Sequence, residues 1–61
     1  MRRVMRIYVR HMRKAIIAGD LDRAGRIGIA AYRVANTHER RFLETYLGPN
    51  TAYLAGLAPK P

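Results

Sequence analysis

Arginine is the residue type in this sequence with the clearest chemistry. The chain has 12 lysine and arginine residues against 4 aspartate and glutamate residues, which gives a formal net charge of +8. The planar guanidinium group of arginine donates two parallel hydrogen bonds to a phosphate or a carboxylate and stacks on flat rings. A positive charge of this size on 61 residues favours an anionic partner such as nucleic acid, an acidic protein surface or anionic lipid.

Side chains that could carry out catalysis are few. The sequence contains no cysteine and no serine, so nucleophilic catalysis would have to use a threonine, a lysine or a carboxylate. Asp20 and Asp22 have positions typical of a helix start, and Glu44 can form a surface ion pair with Arg40. The acids therefore offer no general acid–base pair, and we predict that the protein is not an enzyme.

Metal ligands are equally sparse. His38 and Glu39 begin like the helix motif of zinc proteases, but Phe42 stands where the second histidine ligand would be. His11 falls on the apolar side of the first predicted helix, where we expect a core or interface histidine rather than a ligand. The sequence therefore predicts no metal site and no cofactor.

The first predicted helix spans residues 2–18. At about 100° per residue, apolar residues and one histidine collect on one side and cations on the other, whereas a strand would alternate with period two. The apolar side consists of Val4, Ile7, Tyr8, His11, Met12 and Ala15, flanked by Met5, Val9 and Ile16. The one apolar residue on the charged side is Ile17.

The cationic side of this helix is the candidate partner-binding surface. No acid occurs in the first 19 residues. Like charges one turn apart repel, so an unmixed basic face is tolerated more easily when a partner neutralises it. The second helix adds three arginines at seven-residue spacing to this candidate surface. The alternative to partner binding is that the basic surface is only solvated and keeps a small protein soluble. The predicted partner-binding residues are Arg2, Arg3, Arg6, Arg10, Arg13, Lys14, Arg26, Arg33 and Arg40.

Gly19 and Asp20 form the predicted turn after the first helix. Glycine suits the left-handed conformation that ends helices, and the Asp20 side chain can cap the next helix. Two helices joined by so short a turn fold back on each other, which predicts a helical hairpin. Small residues in the second helix recur at spacings of four, three and four, so that the first helix or a second copy of the chain can approach closely. They are Ala24, Gly28, Ala31 and Ala35.

The second helix is predicted over residues 21–47, with an ambiguity near Asn36. Asn36 followed by Glu39 has the form of a capping box, which indicates a kink or a new helix, and Glu39 would lie on the apolar face of a straight helix. The apolar phase nevertheless resumes at Phe42. We therefore favour one helix with room for a bend near residue 36.

Gly48 and Pro49 end the predicted second helix. A short helix is expected over residues 51–57, and residues 58–61 are expected to form a flexible tail. The sequence thus predicts a single helical domain over residues 1–57.

The predicted architecture is all-α: a helical hairpin with a short C-terminal helical turn, which dimerises into a four-helix bundle. A chain this short buries only about 60% of the surface of its unfolded state, and self-association is a common remedy. Two helices alone would leave apolar residues of both in water, namely Met5, Val9, Ile27, Ile29 and Val34. The alternative is a monomer in which the C-terminal turn closes the core.

Three functions differ in the partner they require. We favour binding of RNA or nonspecific duplex through arginine–phosphate pairing. The alternative is a regulator or inhibitor, for example one encoded by a phage, that docks its basic helix on an acidic host protein. Membrane-surface binding is a lesser alternative because the first helix lacks tryptophan and phenylalanine anchors.

No segment approaches the roughly 20 apolar residues that span a bilayer. The arginine-rich start lacks the apolar run of a secretory signal. We therefore expect a cytoplasmic protein, for which a membrane is the least favoured of the three partners.

Overall fold

A computed structural model describes residues 1–57 of the chain as four helices. These are α1 (Arg3–Ile17), α2 (Leu21–Val34), α3 (Thr37–Leu47) and α4 (Thr51–Leu54). Residues 1–57 contain no strand, so the all-α prediction is confirmed. The tail predicted over residues 58–61 lies outside the described residues. No helix within the described range has the length and apolar character needed to cross a membrane.

The turn between α1 and α2 has the predicted chemistry. Gly19 adopts a φ of 79°, a left-handed conformation that favours glycine. The Asp20 backbone N–H donates to the Ala15 carbonyl oxygen at 2.9 Å, and the Asp20 carboxylate accepts from the Arg23 backbone N–H at 3.1 Å. These bonds satisfy groups that a helix end would otherwise leave unpaired. α1 and α2 pack closely on each other, which confirms the helical hairpin.

The preference for one continuous helix over residues 21–47 is wrong. The backbone is extended at Ala35 (ψ 148°) and Asn36 (ψ 176°), so α2 ends at Val34 and α3 begins at Thr37. The Asn36 side chain accepts from the Glu39 backbone N–H at 2.8 Å, and the Glu39 side chain accepts from the Asn36 backbone N–H at 2.9 Å. This capping box replaces the backbone hydrogen bonds that the break removes, which explains why the alternative of a new helix near 36 is the one observed.

The core pairs large side chains of α1 with small residues of α2. Met5 and Met12 are completely buried, and the alanine and glycine stripe predicted in α2 is buried along its length. Unbranched methionine side chains fill the shallow, irregular space that such a stripe leaves. The buried residues are Met5, Val9, Met12, Ala15, Ala24, Gly28, Ala31, Tyr32, Ala35, Leu43 and Ala55, together with the polar residues Glu39 and Thr51.

The buried side of α1 is rotated relative to the predicted one. Val4 and Ile7, at the centre of the predicted apolar side, are 44% and 40% exposed, and His11 is exposed as well. His11 is therefore not a core histidine, and its placement at an interface stays a prediction. The apolar residues of α1 cover a wide arc, so helical periodicity alone does not show which part of the arc faces α2. The fit of Met5 and Met12 against the small residues of α2 selects that part.

α3 and α4 both pack on α2. A Cβ atom added at Gly28 would lie 2.8 Å from the Leu47 side chain, so the end of α3 rests on the small-residue stripe. α4 is shorter than the predicted helix 51–57, but Thr51 and Ala55 are buried and close part of the core. The pairing of two hairpins into a four-helix bundle stays a prediction.

Candidate anion-binding face

Four cations of α1 form what we term the basic face: Arg3, Arg6, Arg10 and Lys14. All four side chains are exposed. They make no hydrogen bond or ion pair with any other part of residues 1–57. Successive members are three or four residues apart, which places them on one side of the helix with an axial spacing of about 5–6 Å. Four of the predicted partner-binding residues therefore lie together on one side of α1 in the structure.

All four acids of the chain lie outside α1. Asp20 caps α2, and Asp22 forms an i, i+4 ion pair with Arg26. Glu39 is buried at the start of α3, and a Glu44 carboxylate oxygen lies 3.5 Å from the Tyr32 hydroxyl. Each acid therefore has a contact within α2 and α3 or their caps, and no acid on α1 offsets the basic face.

Arg2 makes hydrogen bonds within the protein, and for this reason we do not include it in the basic face. Its Nη2 donates to Glu39 Oε1 at 2.6 Å and to the Val34 carbonyl oxygen at 2.8 Å, and its backbone N–H donates to Glu39 Oε2 at 3.2 Å. The Glu39 side chain is only 1% exposed. The Arg2 guanidinium, followed by the Asn36 backbone N–H, lowers the pKa of Glu39 to about 2. Because a buried carboxylate needs such a partner, Arg2 is engaged by Glu39 and Val34 even though its side chain is 51% exposed.

Arg13 stands at the edge of the basic face and connects α1 to α3. Its Nη2 donates to the Tyr46 hydroxyl at 2.9 Å, and its guanidinium carbon lies 5.8 Å from the centre of the Tyr46 ring. The Tyr46 ring in turn packs against Phe42, with the ring centres 5.4 Å apart. Within residues 1–57, Arg13 therefore contacts a phenol and not a carboxylate.

The predicted stripe of Arg26, Arg33 and Arg40 does not form. Seven-residue spacing aligns side chains only on a continuous helix, and the break at Ala35 places Arg40 on α3. Each of these arginines also has a partner of its own. Arg26 pairs with Asp22, and the Nε atoms of Arg33 and Arg40 donate to the backbone oxygens of Ala55 and Tyr32, both at 3.0 Å.

A groove runs beside α1, and we term it the α1 groove. It encloses about 570 Å³ and combines four cations with four apolar side chains. The lining residues are Met1, Arg6, Val9, Arg10, Arg13, Lys14, Ile17 and Phe42. The sequence prediction missed the groove because Phe42 was placed on the apolar side of a continuous second helix. The available signal was Ile17, an apolar residue on the charged side of α1 that is 85% exposed.

The arrangement offers positive charge and hydrogen-bond donors. Among residues 1–57 no three histidine, aspartate or glutamate side chains form a group that could hold a metal ion. Comparison with protein-family models, curated proteins and solved structures gives no match to this chain. The exposure, spacing and charge of the basic face are therefore the basis for assigning a function.

Proposed function

We propose that the protein binds nucleic acid without catalysing a reaction, and that the basic face pairs with backbone phosphates. The observation that carries this proposal is the exposure of Arg3, Arg6, Arg10 and Lys14 on one side of α1, with no intramolecular partner in the described chain. Phosphate oxygens accept hydrogen bonds and repeat regularly along a strand. A row of donors with an axial spacing of about 5–6 Å suits such a repeating anion.

Binding of this kind has a diagnostic dependence on salt. Each neutralised phosphate releases condensed counterions, so the logarithm of the binding constant falls linearly with the logarithm of salt concentration. Four phosphate contacts give a slope of about −3 to −4. Fluorescence anisotropy of a labelled oligonucleotide, titrated with the protein at several salt concentrations, measures this slope. A binding constant that does not change with salt would exclude phosphate pairing as the main source of affinity.

The apolar side chains that line the α1 groove favour a second candidate function. An acidic host protein could place carboxylates on the cations and insert apolar side chains against Ile17 and Phe42. In that case the chain would act as a regulator or inhibitor. Affinity capture from a lysate, carried out with and without nuclease, separates the two candidates. Recovery of one acidic protein that is unaffected by nuclease supports the second candidate.

Self-association is part of the proposal as well. A second groove, of about 400 Å³, lies where α1, α2 and α3 meet near the hairpin turn and has no charged side chain in its lining. Ile16 and Leu21 at this groove are 40% and 69% exposed. Two chains that each carry a charge of +8 repel unless their contact avoids the cations. An uncharged apolar groove is therefore the surface on which a second copy can pair.

A further inference from the structure

The α1 groove differs from the basic face in having apolar side chains in its lining. We term its apolar lining residues (Met1, Val9, Ile17 and Phe42) the floor and its cations (Arg6, Arg10, Arg13 and Lys14) the rim. From Arg6 to Ile17 the groove follows twelve residues of α1, which is about 16 Å along the helix axis. This length accommodates about three to five nucleotides of one strand.

Among the described residues that line the groove, several side chains donate hydrogen bonds and none accepts them. Its lining contains guanidinium and ammonium groups and apolar side chains, and no carboxylate, amide or hydroxyl. A phosphodiester backbone presents acceptors only, so its hydrogen-bonding needs match this rim. A peptide segment presents N–H donors as well as acceptors, and the side chains of the groove would leave those donors unsatisfied.

The floor distinguishes a single strand from a duplex. In a duplex the faces of the bases are stacked on each other, so docking on the rim would leave the floor against solvent or against sugar and phosphate. In a single strand the phosphates can lie on the cations while the base faces contact apolar and aromatic side chains. The half-buried ring of Phe42 and the exposed side chain of Ile17 offer such contacts.

From these observations we infer that the α1 groove binds a single-stranded nucleic acid, with phosphates on its cationic rim and unpaired bases on the floor at Phe42 and Ile17. This inference rests on the proposed function and specifies its ligand. The expected selectivity comes from shape and from stacking, because the proposal assigns the cations of the groove to phosphates and not to base edges.

The test compares one strand with its own duplex. A fluorescein-labelled strand of mixed sequence, of about 12 nucleotides, falls in the range of known single-strand site sizes, and annealing it to its complement gives the matched duplex. Both probes are titrated with the full chain and with three variants at several salt concentrations. Ile17→Gln and Phe42→Leu alter the floor, and Leu54→Gln is the control, since Leu54 is 55% exposed and lies outside the groove.

We expect the strand to bind about tenfold more tightly than the duplex. We expect Ile17→Gln and Phe42→Leu to weaken strand binding about fivefold, while the salt slope and the Leu54→Gln control stay unchanged. Ile17→Gln keeps the test valid if Phe42→Leu perturbs folding, because the Ile17 side chain is almost fully exposed.

Three results would overturn the inference. Equal or tighter binding of the duplex, with a steep salt slope and no effect of the floor variants, would remove the single strand and keep the proposed function. Absence of salt-dependent binding to either probe would remove both. Displacement of the bound strand by an acidic amphipathic peptide that binds more tightly than the strand would assign the groove to a protein partner.

Discussion

The Arg2 guanidinium lies 2.6 Å from the buried carboxylate of Glu39, a residue 37 positions later in the chain. The same carboxylate closes the capping box at the start of α3, and Arg2 also binds the Val34 carbonyl oxygen at the end of α2. One ion pair therefore joins the start of α1, the end of α2 and the start of α3. Because a buried charge that loses its partner is costly, this contact ties the position of α3 to that of α1.

The first prediction concerns the loss of stability in acid. The pKa of Glu39 is lowered from 4.5 to about 2, so its charged form is favoured by folding. Its contribution is complete above pH 4.5 and is lost as the pH falls towards about 2. Thermal melts followed by circular dichroism should show the melting temperature falling over this range. Glu39→Gln should flatten the fall, whereas Glu44→Gln, as a control, should leave it in place.

The second prediction concerns the capping box. Asn36→Ala removes the side-chain acceptor for the Glu39 backbone N–H, and we expect a loss of about 1 kcal/mol in the free energy of unfolding. Urea denaturation measures this loss. Asn50→Ala is a matched control, because Asn50 precedes α4 without making a side-chain capping bond. Equal effects of the two substitutions would show that the capping box does not stabilise the break.

The third prediction separates two glycines of α2. A Cβ at Gly25 would contact nothing within 4 Å, so Gly25→Ala should stabilise the protein by up to about 1 kcal/mol through helix propensity. A Cβ at Gly28 would lie 2.8 Å from Leu47, and Gly28→Leu should destabilise it by about 1–3 kcal/mol through overpacking. Chemical denaturation measures both effects. An unchanged midpoint for Gly28→Leu would contradict close packing between α2 and α3.

The fourth prediction tests the basic face by charge reversal. Arg6→Glu combined with Arg10→Glu should abolish binding of the anionic partner without changing helicity, because both side chains are exposed and have no partner within residues 1–57. The control combines Arg23→Glu on α2 with Arg41→Glu on α3, which changes the net charge of the protein by the same amount as the α1 variant. Anisotropy and circular dichroism give the two readouts. Survival of binding in the α1 variant, or its loss in both, would show that the basic face is not the specific site.

The fifth prediction concerns assembly. Light scattering at micromolar concentration should give twice the chain mass of 7.0 kDa. Leu21→Arg places a charge in the uncharged groove near the hairpin turn and should give the mass of a single chain. Leu54→Arg, at an exposed position on α4, should leave the dimer intact. A single-chain mass for the unmodified protein would contradict pairing through this groove.

Local sequence signals predicted the hairpin and the basic face. The Gly19-Asp20 turn is determined by bonds that reach only three to five residues, and the positions of Arg6 and Arg10 on α1 follow from helical periodicity alone. The break at Asn36 also had a local signal. It was outweighed by the apolar residue Phe42, which fits the phase of a continuous helix but lies on α3, where it packs against the core and also lines the α1 groove.

Contacts between distant parts of the chain could not be read from the sequence. Glu39 on an apolar face indicated an unusual carboxylate, but periodicity does not show which of ten arginines pairs with it. Arg2 was therefore placed among the partner-binding residues. The same limit applies to Arg13, whose hydrogen bond to Tyr46 depends on how α3 crosses α1.

The contact between Gly28 and Leu47 also has an evolutionary consequence. A side chain at position 28 and a long side chain at position 47 compete for the same space, so substitutions at the two positions cannot accumulate independently. In homologous sequences that keep this fold, alanine at position 28 should accompany valine or alanine at position 47. Such covariation would show from sequences alone that the end of α3 packs against α2.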